Sequence, residues 1–298
     1  MKNNGKRALI TGIKGFTGHY MAAELSAAGY EVYGLGSQTD TKTPNYFSVD
    51  LTNVEQVNNA IASINPDVVV HLAAIAFVGH ADTNNFYQVN VSGTRNLLVA
   101  LSSLPVKPSS VLIASSANVY GNTTAGKLNE ATPFNPANDY AISKVAMEYV
   151  VGLFKDKLRI NIVRPFNYTG YGQADNFLVP KIVKHFKEKQ NVIELGNIDV
   201  WRDFSDVRFV VSCYRKILDS SCENQTINVA SGEMVSLRNI IDICQKITSH
   251  NLAIKVNPAF VRENEIKELC GDITRLSEVI SSCEPIPLEK TLRWMLEI

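Results

Sequence analysis

The sequence predicts an α/β fold in which a doubly wound parallel sheet carries a smaller, interleaved C-terminal lobe. Three observations lead to this prediction. A glycine-rich loop joins the first apolar stretch to a helical pattern near the N-terminus. Almost continuously apolar segments then alternate with amphipathic segments as far as residue 165, as buried parallel strands and their covering helices do. Beyond residue 165 the alternation stops, and residues 167–175 are rich in glycine, tyrosine and asparagine.

The composition is that of an ordinary globular protein. Its 298 residues are 45% hydrophobic and 19% charged, which suits one large domain or two smaller ones. Basic and acidic residues are equal in number, 29 of each, so neither nucleic acid nor an anionic membrane is expected as a partner. No segment approaches the ~18 consecutive apolar residues of a membrane span. Five cysteines without paired spacing predict reduced thiols in a cytoplasmic protein, and the histidines lack metal-ligand spacing.

The first element is an apolar strand over residues 7–11, which runs into the motif Gly12-x-x-Gly15-x-x-Gly18. A helical pattern over 19–28 and a second strand over 31–35 follow. In such a strand–loop–helix unit, glycines let the backbone approach a pyrophosphate at the N-terminus of the helix. The unit is the fingerprint of a Rossmann-type domain and predicts a dinucleotide cofactor.

The tip of the second strand indicates which dinucleotide is preferred. An acidic residue at this tip binds the ribose of NAD and repels the extra phosphate of NADP, but the tip reads Gly34-Leu35-Gly36-Ser37-Gln38. Ser37 can meet that phosphate, with Lys14 or Lys42 nearby. The pattern favours NADP(H), and the alternative is a tolerant site that also uses NAD(H).

A third strand is expected within residues 45–51 and a helix over 54–64, with Asp50 and Leu51 between them. The Asp50 carboxylate either accepts from the adenine amino group or caps the helix. Residues 67–74 form the next strand, in which His71 is expected to pack structurally. The strand ends in small residues that allow close contact with the cofactor. One long amphipathic helix is expected over 86–101, carrying Asn90.

The segment from Ser115 to Lys144 carries the predicted chemistry. Tyr140 and Lys144 are four residues apart on a predicted helix and therefore share a face. A nearby ammonium favours the phenolate and brings the tyrosine pKa towards working pH. Such a pair exchanges a proton with an alcohol or alkoxide, while a hydroxyl such as Ser116 hydrogen-bonds the same oxygen. The serines follow an apolar strand, at the strand end where open α/β sheets bind ligands.

The division into domains follows from the change after residue 165. Residues 1–165 are expected to form the dinucleotide-binding Rossmann domain, to which part of 205–232 returns. Residues 166–298 are expected to form mainly a lobe that closes over a substrate.

The assembled motifs resemble those of the extended short-chain dehydrogenase/reductase family, many of whose members act on nucleotide-activated sugars. The similar motifs span much of the chain: Thr11-Gly12-x-x-Gly15-x-x-Gly18, Asp50-Leu51, His71-Leu72-Ala73-Ala74, Ser115-Ser116-x-x-Val119-Tyr120-Gly121, Tyr140-x-x-x-Lys144 and Arg164-Pro165-Phe166-Asn167. Later segments, such as Arg202-Asp203-Phe204-x-Asp206-Val207-Arg208, look most like GDP-4-keto-6-deoxymannose reductases.

The resemblance implies roles for individual residues. Ser116, Tyr140 and Lys144 form the catalytic triad. The cofactor contacts are expected from Gly12, Gly15, Phe16, Thr17, Gly18, Ser37, Asp50, Leu51, Leu72, Ala73, Ala74, Asn90, Tyr140 and Lys144. The substrate contacts are expected from Ser115, Ser116, Asn118, Asn167, Val179, Arg202 and Arg262. A diphosphate needs forked cationic donors, which Arg202 and Arg262 can supply, although Arg202 can instead pair with Asp203 or Asp206.

Three subclasses of the resembling family compete. Its 4,6-dehydratases place acidic residues directly after the catalytic Ser or Thr, where this chain has Ala117 and Asn118, which perform no general acid or base chemistry. A dehydratase is therefore disfavoured. Its 4-epimerases keep NAD tightly bound and consume no cofactor. Reductases of this kind often carry Arg-Pro near the diphosphate, but here Arg262 is followed by Glu263.

The sequence therefore predicts an NAD(P)H-dependent oxidoreductase that reduces the 4-keto group of a nucleotide-linked 4-keto-6-deoxyhexose. The GDP-linked sugar is favoured and the dTDP-linked sugar comes second. The alternatives are an NDP-sugar 4-epimerase and, from another class, a non-catalytic dinucleotide-binding sensor. The resemblance also implies a homodimer and a place in the biosynthesis of a deoxysugar for a surface polysaccharide.

Overall fold

The computed structural model describes residues 5–76, 82–121, 123, 126–261, 267–281 and 283–297. These residues form fourteen strands and ten α-helices. The strands are β1 (Arg7–Thr11), β2 (Glu31–Gly36), β3 (Tyr46–Ser48), β4 (Val68–His71), β5 (Ser110–Ala114), β6 (Lys127–Leu128), β7 (Ile160–Pro165), β8 (Asn167–Thr169), β9 (Val192–Leu195), β10 (Trp201–Asp206), β11 (Thr226–Val229), β12 (Met234–Ser236), β13 (Ala253–Val256) and β14 (Glu268–Gly271). The helices are α1 (Phe16–Ala27), α2 (Val54–Ile64), α3 (Asn84–Tyr87), α4 (Thr94–Ser103), α5 (Asp139–Gly152), α6 (Leu178–Lys187), α7 (Val207–Asp219), α8 (Leu237–Thr248), α9 (Thr274–Val279) and α10 (Leu288–Leu296).

The main sheet has seven parallel strands in the order β11-β7-β5-β4-β1-β2-β3. The chain moves outwards in one direction from β1 to β3 and then crosses to β4 on the other side of β1. This reversal next to the central strand creates the crevice in which open α/β sheets bind ligands. The predicted α/β class with a doubly wound parallel sheet is confirmed.

Helices cover both faces of this sheet because its strands are apolar on both sides. One core lies between the sheet and α2, α4 and α5, and includes Leu9, Leu98 and Met147. The other lies between the sheet and α1, α7 and α9, and includes Ile10, Met21 and Tyr214. The segment with α7 and β11 therefore belongs to the main sheet and its covering helices, although it follows β10, a strand of the smaller lobe, in sequence.

The smaller lobe is assembled from several chain segments. Its larger sheet runs β12-β10-β14-β6, with β8 paired to β10, and a two-stranded sheet joins β13 to β9. Helices α6, α8 and α10 close a separate apolar core, to which Ile182, Ile240 and Leu292 belong. Because β6 comes from the first half of the chain and α10 from the end, the two lobes are interleaved.

The long helix expected over 86–101 is not continuous. It consists of α3, a π-helical segment over Gln88–Gly93, and α4. A π-helical turn within a helix accommodates one extra residue and changes the direction of the side chains within it. Such turns occur frequently at functional sites. Among the described residues, no helix is both long and apolar enough to cross a membrane.

Candidate active site

The glycine-rich loop lies at the centre of the carboxyl edge of the main sheet. Gly12 has φ +72°, and a Cβ there would come within 2.9 Å of the Ala73 backbone. The Gly12 N–H donates to Leu35 O at 2.8 Å, and the Gly15 N–H donates to Gly12 O at 2.9 Å. Gly15 directly precedes α1, whose first turn contains the buried Gly18. The loop therefore offers a backbone cradle that admits no side chain at Gly12, and it fits the pyrophosphate of a dinucleotide.

The first turn of α1 also connects this loop to the smaller lobe. Thr17 Oγ1 lies 2.8 Å from the Tyr168 hydroxyl, and the Phe16 ring stacks on the Tyr168 ring with centroids 6.3 Å apart. Tyr168 lies in β8, which pairs with β10. These contacts place Phe16 and Thr17 at the seam between the lobes.

A charged pair lies beyond the tip of β2, where Ser37 is exposed. Lys14 Nζ donates to Asp40 Oδ2 at 2.5 Å and lies over the Tyr46 ring, 4.3 Å from its centroid. Asp40 also accepts from the Lys42 and Thr43 N–H groups, and these hydrogen bonds, led by that from Lys14, hold its pKa well below the usual range. Lys14 was expected here from the sequence, but Asp40 was not, since its only signal is its position four residues after β2.

The Asp50 carboxylate does not cap α2. Asn53 is the N-cap, because its side chain accepts from the Gln56 N–H at 3.1 Å. Asp50 instead accepts from the N–H and hydroxyl of Thr52 and is exposed at the sheet edge. Of the two expected roles, capping is therefore wrong. Leu51, the next residue, is buried in the core.

A buried chain of hydrogen bonds lies beneath the cofactor crevice and fixes the tautomer of His71. Thr94 Oγ1 donates to Asn90 O at 2.6 Å, so this hydroxyl accepts from His71 Nε2 at 2.8 Å. His71 Nδ1 consequently accepts from Thr11 Oγ1 at 2.7 Å, and the Thr11 hydroxyl accepts from the Ala73 N–H. Burial, aided by the charge of Lys144, lowers the pKa of His71 to about 3. A neutral His71 thus holds in place the segment that continues through Leu72, Ala73 and Ala74.

The π-helical segment aims Asn90 into the interior. Its side-chain amide accepts from the Ile75 N–H at 2.9 Å and donates to Ile75 O at 3.2 Å and to Ser143 Oγ at 3.0 Å. Asn90 therefore joins the loop after β4 to α5, the helix that carries the predicted catalytic pair.

The three predicted catalytic residues converge at the end of β5. Ser116 lies two residues after β5, Tyr140 and Lys144 lie on one face of α5, and all three are buried. The Ser116 side chain forms a hydrogen bond with the Tyr140 hydroxyl. It also accepts from the backbone and side-chain N–H groups of Asn118, both at 3.2 Å. Lys144 Nζ donates to Ala114 O at 2.8 Å, which anchors the lysine to the last residue of the strand.

The electrostatics of this triad differ from the expectation. Burial raises the pKa of Tyr140 to about 12, and the hydrogen bond from Ser116 only partly opposes this effect. Burial also lowers the pKa of Lys144 to about 8, against the attraction of Glu148. The prediction that Lys144 brings the tyrosine pKa down towards working pH is therefore wrong for this structure. At neutral pH Tyr140 is a protonated phenol, which is the form that donates a proton.

Behind the triad lies a buried ion pair that the sequence analysis missed. Arg164 Nε and a terminal guanidinium nitrogen donate to the two carboxylate oxygens of Glu148 at 2.9 and 2.7 Å. Ser115 Oγ donates to the same carboxylate at 2.5 Å, so its side chain faces the interior, away from the expected substrate side. Arg164 also donates to the Tyr120 hydroxyl at 2.9 Å. The signal was present in the sequence, because Glu148 continues the four-residue spacing from Tyr140 and Lys144.

Gly121 fixes the loop that carries Ser116. It has φ +52°, and a Cβ there would lie 1.6 Å from Asn135 O, so no other residue fits. The Asn135 N–H donates to Val119 O at 3.0 Å. The close approach at Gly121 thereby packs the catalytic loop against the turn that leads to α5.

The residues expected on the substrate side have diverse surroundings. Asn167 is half-buried in β8, next to Asp203 of β10. Arg202 lies on β10, half-buried, and donates to the backbone oxygens of Trp201 and Lys267 at 2.9 and 3.0 Å. Val179 is buried in the core of the smaller lobe. Arg262 lies outside the described residues.

The carboxylates that Arg202 was alternatively expected to pair with are engaged elsewhere. Asp203 is buried and accepts from the N–H groups of Ser231 and Gly232, both at 2.8 Å. Asp206 caps α7 and forms a two-pronged ion pair with Arg208 at 2.9 and 2.6 Å. Asp203 thus fixes the loop after β11 against the strand that carries Arg202. No group of three or more potential metal-ligating residues occurs in the described part of the chain.

Comparison with known proteins gives consistent matches along the whole chain. The sequence model of the family described as GDP-mannose 4,6 dehydratase matches residues 9–294. A GDP-6-deoxy-D-talose 4-dehydrogenase of Aggregatibacter actinomycetemcomitans is 36% identical over 277 residues, covering 93% of this chain and 92% of the relative. A GDP-6-deoxy-D-mannose reductase of Pseudomonas aeruginosa is 32% identical over 304 residues, covering 98% and 96%.

Solved structures show the same fold. A putative epimerase of Burkholderia cenocepacia J2315 superposes with a TM-score of 0.93 at 45% identity, covering 99% of this chain and 98% of that one. The RMD protein of Pseudomonas aeruginosa, complexed with NADPH, superposes with a TM-score of 0.86 at 30% identity, covering 98% of both chains.

Proposed function

The chain belongs to the GDP-mannose 4,6-dehydratase family of extended short-chain dehydrogenases/reductases, and we propose that it reduces the 4-keto group of a GDP-linked 4-keto-6-deoxyhexose. It is an NAD(P)-dependent oxidoreductase of nucleotide sugars. The observation that carries the proposal is the convergence of the buried Ser116, Tyr140 and Lys144 at the end of β5, with the Ser116 side chain hydrogen-bonded to the Tyr140 hydroxyl. A sensor without catalysis has no need of this arrangement.

The residues of the site divide the work of a ketone reduction. When bound, the reduced nicotinamide supplies a hydride for carbon 4 of the sugar. Tyr140 donates its phenolic proton to the oxygen that becomes the hydroxyl, and Ser116 hydrogen-bonds that oxygen. Lys144, anchored on Ala114 O, holds the cofactor ribose through its ammonium group. A high pKa of Tyr140 suits this direction, because the phenol stays protonated until the carbonyl oxygen gains charge.

The family contains dehydratases, but two residues argue against that activity here. A 4,6-elimination needs a group that protonates the leaving hydroxyl and a group that removes the proton at carbon 5. The positions after Ser116 hold Ala117, which is buried, and Asn118, whose amide donates to Ser116 Oγ at 3.2 Å. The buried carboxylate of Glu148 is bound by Arg164 behind the triad. Neither Ala117 nor Asn118 can therefore protonate the leaving hydroxyl or remove the proton at carbon 5.

The substrate class rests on the relatives. One is named for GDP-6-deoxy-D-talose and another for GDP-6-deoxy-D-mannose, two sugars that differ in configuration at carbon 4. Both names favour a guanosine base over thymidine. Half-buried Asn167 and Arg202, together with Arg262, are the residues we propose for the diphosphate.

NADPH is the proposed cofactor, with NADH as a poorer substitute. A relative is complexed with NADPH, and the exposed Ser37 and the Lys14 ammonium beyond β2 are the groups we propose for the extra phosphate of NADP. Asp40 pairs with Lys14 and offsets part of its charge, which argues for a modest preference over an absolute one.

A homodimer through α5 is the proposed assembly. Three large apolar side chains on the outer face of this helical segment are exposed, namely Ile142 (42%), Tyr149 (69%) and Leu153 (72%). Contiguous exposed apolar side chains mark interaction surfaces. Sedimentation should therefore give a dimer, and Tyr149→Glu combined with Leu153→Glu should give a folded monomer. A wild-type monomer would contradict the assembly without touching the proposed reaction.

A 4-epimerase is the second candidate, because the structure with 45% identity is that of a putative epimerase. The two activities are separated by following NADPH and NADH absorbance with GDP-4-keto-6-deoxymannose and with its dTDP-linked counterparts. Stoichiometric oxidation with the GDP-linked sugar supports the reductase. No oxidation with any of them, together with NAD that survives purification, would favour the epimerase.

A further inference from the structure

Two of the five cysteines lie side by side, away from the residues of the proposed reaction. Cys213 lies on α7 and Cys283 lies between α9 and α10, and their Sγ atoms are 3.4 Å apart. Both are free thiols. Cys213 is fully buried, whereas Cys283 is only partly buried, so an oxidant from solvent reaches Cys283 more readily than Cys213.

The surroundings make Cys283 the more reactive sulfur. Hydrogen bonding to Cys213, the Lys216 ammonium and the Ser212 hydroxyl together lower the pKa of Cys283, although its partial burial opposes them. The same hydrogen bond, with burial, raises the pKa of Cys213. Among the five cysteines, all of which the structure describes, the remaining three have thiol pKa values raised chiefly by burial. The thiolate, which is the nucleophile of thiol oxidation, is therefore concentrated at Cys283.

We propose that Cys283 is an oxidation site for peroxides and that Cys213 resolves the product into an intramolecular disulfide. The Cys283 thiolate attacks one oxygen of hydrogen peroxide, an S–O bond forms as the O–O bond breaks, and the released hydroxide takes a proton to become water. Cys213 then attacks the Cys283 sulfur, an S–S bond forms as the S–O bond breaks, and the Cys213 proton leaves with the hydroxide as a second water. Two thiols are oxidised, and one peroxide is reduced to two waters.

The location of the thiol pair tells what the disulfide would hold together. It would join α7, which covers the main sheet, to the segment that leads into α10 of the smaller lobe. The start of α7 already contacts α10. Thr291 Oγ1 of α10 donates to Asp206 Oδ2 at 2.7 Å, and the Arg208 guanidinium lies 3.8 Å from the centroid of the Trp294 ring. The oxidised protein should therefore resist unfolding more than the reduced protein does, until a reductant restores both thiols.

The test oxidises the full-length reduced protein with a small excess of hydrogen peroxide, then blocks remaining thiols under denaturing conditions and maps the peptides by mass spectrometry. We expect a linked Cys213–Cys283 peptide within one chain, reversal by dithiothreitol, and a higher denaturant midpoint for the oxidised protein. The proposal would be overturned if Cys283 stayed a free thiol, or if its thiol were oxidised no faster than that of Cys222. A Cys283 that proceeds to sulfinic acid while Cys213 stays reduced would also overturn it.

Three serine variants sharpen the result. Cys213→Ser should stop the reaction at a Cys283 sulfenic acid that dimedone traps, and Cys283→Ser should abolish the fast oxidation. Cys222→Ser is the matched control, because Cys222 is also partly buried but its sulfur lies near Asn161 and has no neighbouring thiol at hydrogen-bond distance. This control should still give the linked peptide. The outcome does not depend on the proposed sugar chemistry, which is measured separately.

Discussion

Replacing Glu148 by glutamine tests how the buried ion pair supports the catalytic lysine. The side chains of Arg164 and Glu148 are only 5% and 6% exposed, and two charge-assisted hydrogen bonds join them. Removing one partner of a buried ion pair costs about 3–5 kcal/mol, because the other charge stays buried. Arg164 keeps the Tyr120 hydroxyl and Glu130 O as acceptors. We therefore expect Glu148→Gln to lower the free energy of unfolding by about 3 kcal/mol, near the lower end of this range.

The same substitution should change the pH dependence of catalysis. Burial lowers the pKa of Lys144 to about 8 even though the nearby Glu148 charge raises it. The proposed reduction needs the ammonium form of Lys144, so kcat/KM of the wild type should fall as the pH rises through about 8. Without the Glu148 charge the pKa of Lys144 drops further, and the fall should begin at a lower pH. A merely structural role for Glu148 would leave this limb of the profile unmoved.

Two assays and two controls complete the test. Denaturant unfolding gives the stability change, and NADPH oxidation between pH 6 and 10 gives the profile. Glu289→Gln removes a solvent-exposed partner of Arg293 four residues away and should cost no more than about 0.5 kcal/mol. Adding Arg164→Met to Glu148→Gln should recover part of the stability. A Glu148→Gln protein as stable as the wild type, with an unshifted alkaline limb, would refute this reasoning.

Three further predictions concern other parts of the site. Tyr140→Phe should lower kcat at least about 100-fold while cofactor affinity, followed by fluorescence titration, changes little; wild-type turnover would remove Tyr140 from its proposed role. Gly121→Ala should destabilise by at least about 2 kcal/mol in denaturant unfolding, because its Cβ meets Asn135 O, whereas Gly152→Ala, with open space around it in α5, should be neutral or stabilising; equal effects would contradict the close approach. Lys14→Met should lower kcat/KM for NADPH several-fold and leave that for NADH nearly unchanged, and an equal loss with both cofactors would argue against phosphate binding there.

Elements fixed by local pattern were predicted well from the sequence. The strand over 7–11 and the helix over 54–64 have the predicted bounds, because apolar periodicity and flanking turn residues decide them locally. The π-helical segment was not predicted, since the apolar residues of 86–101 were interpreted as one continuous helical pattern. Its reason is tertiary, because Asn90 must reach both Ile75 and Ser143.

The site shows the same division between local and long-range information. Tyr140 and Lys144 could be paired from the sequence because a helix places them on one face. Ser115 and Glu148 are 33 residues apart, and Lys14 and Asp40 are 26 apart, so no periodicity connects them. The pKa of Tyr140 was predicted in the wrong direction, because its sign depends on burial, which residue spacing does not give.

The proposed function requires that a hydride passes from the cofactor to carbon 4 of the sugar, and an isotope experiment follows that transfer. The enzyme is incubated with GDP-4-keto-6-deoxymannose and NADPH in which both hydrogens on carbon 4 of the dihydronicotinamide are deuterium, and the product is examined by NMR. We predict a GDP-6-deoxyhexose with deuterium on carbon 4 of the sugar, one per NADPH oxidised, and its configuration there distinguishes the manno from the talo product. A product without deuterium, formed while the added NADPH remains intact, would contradict the account.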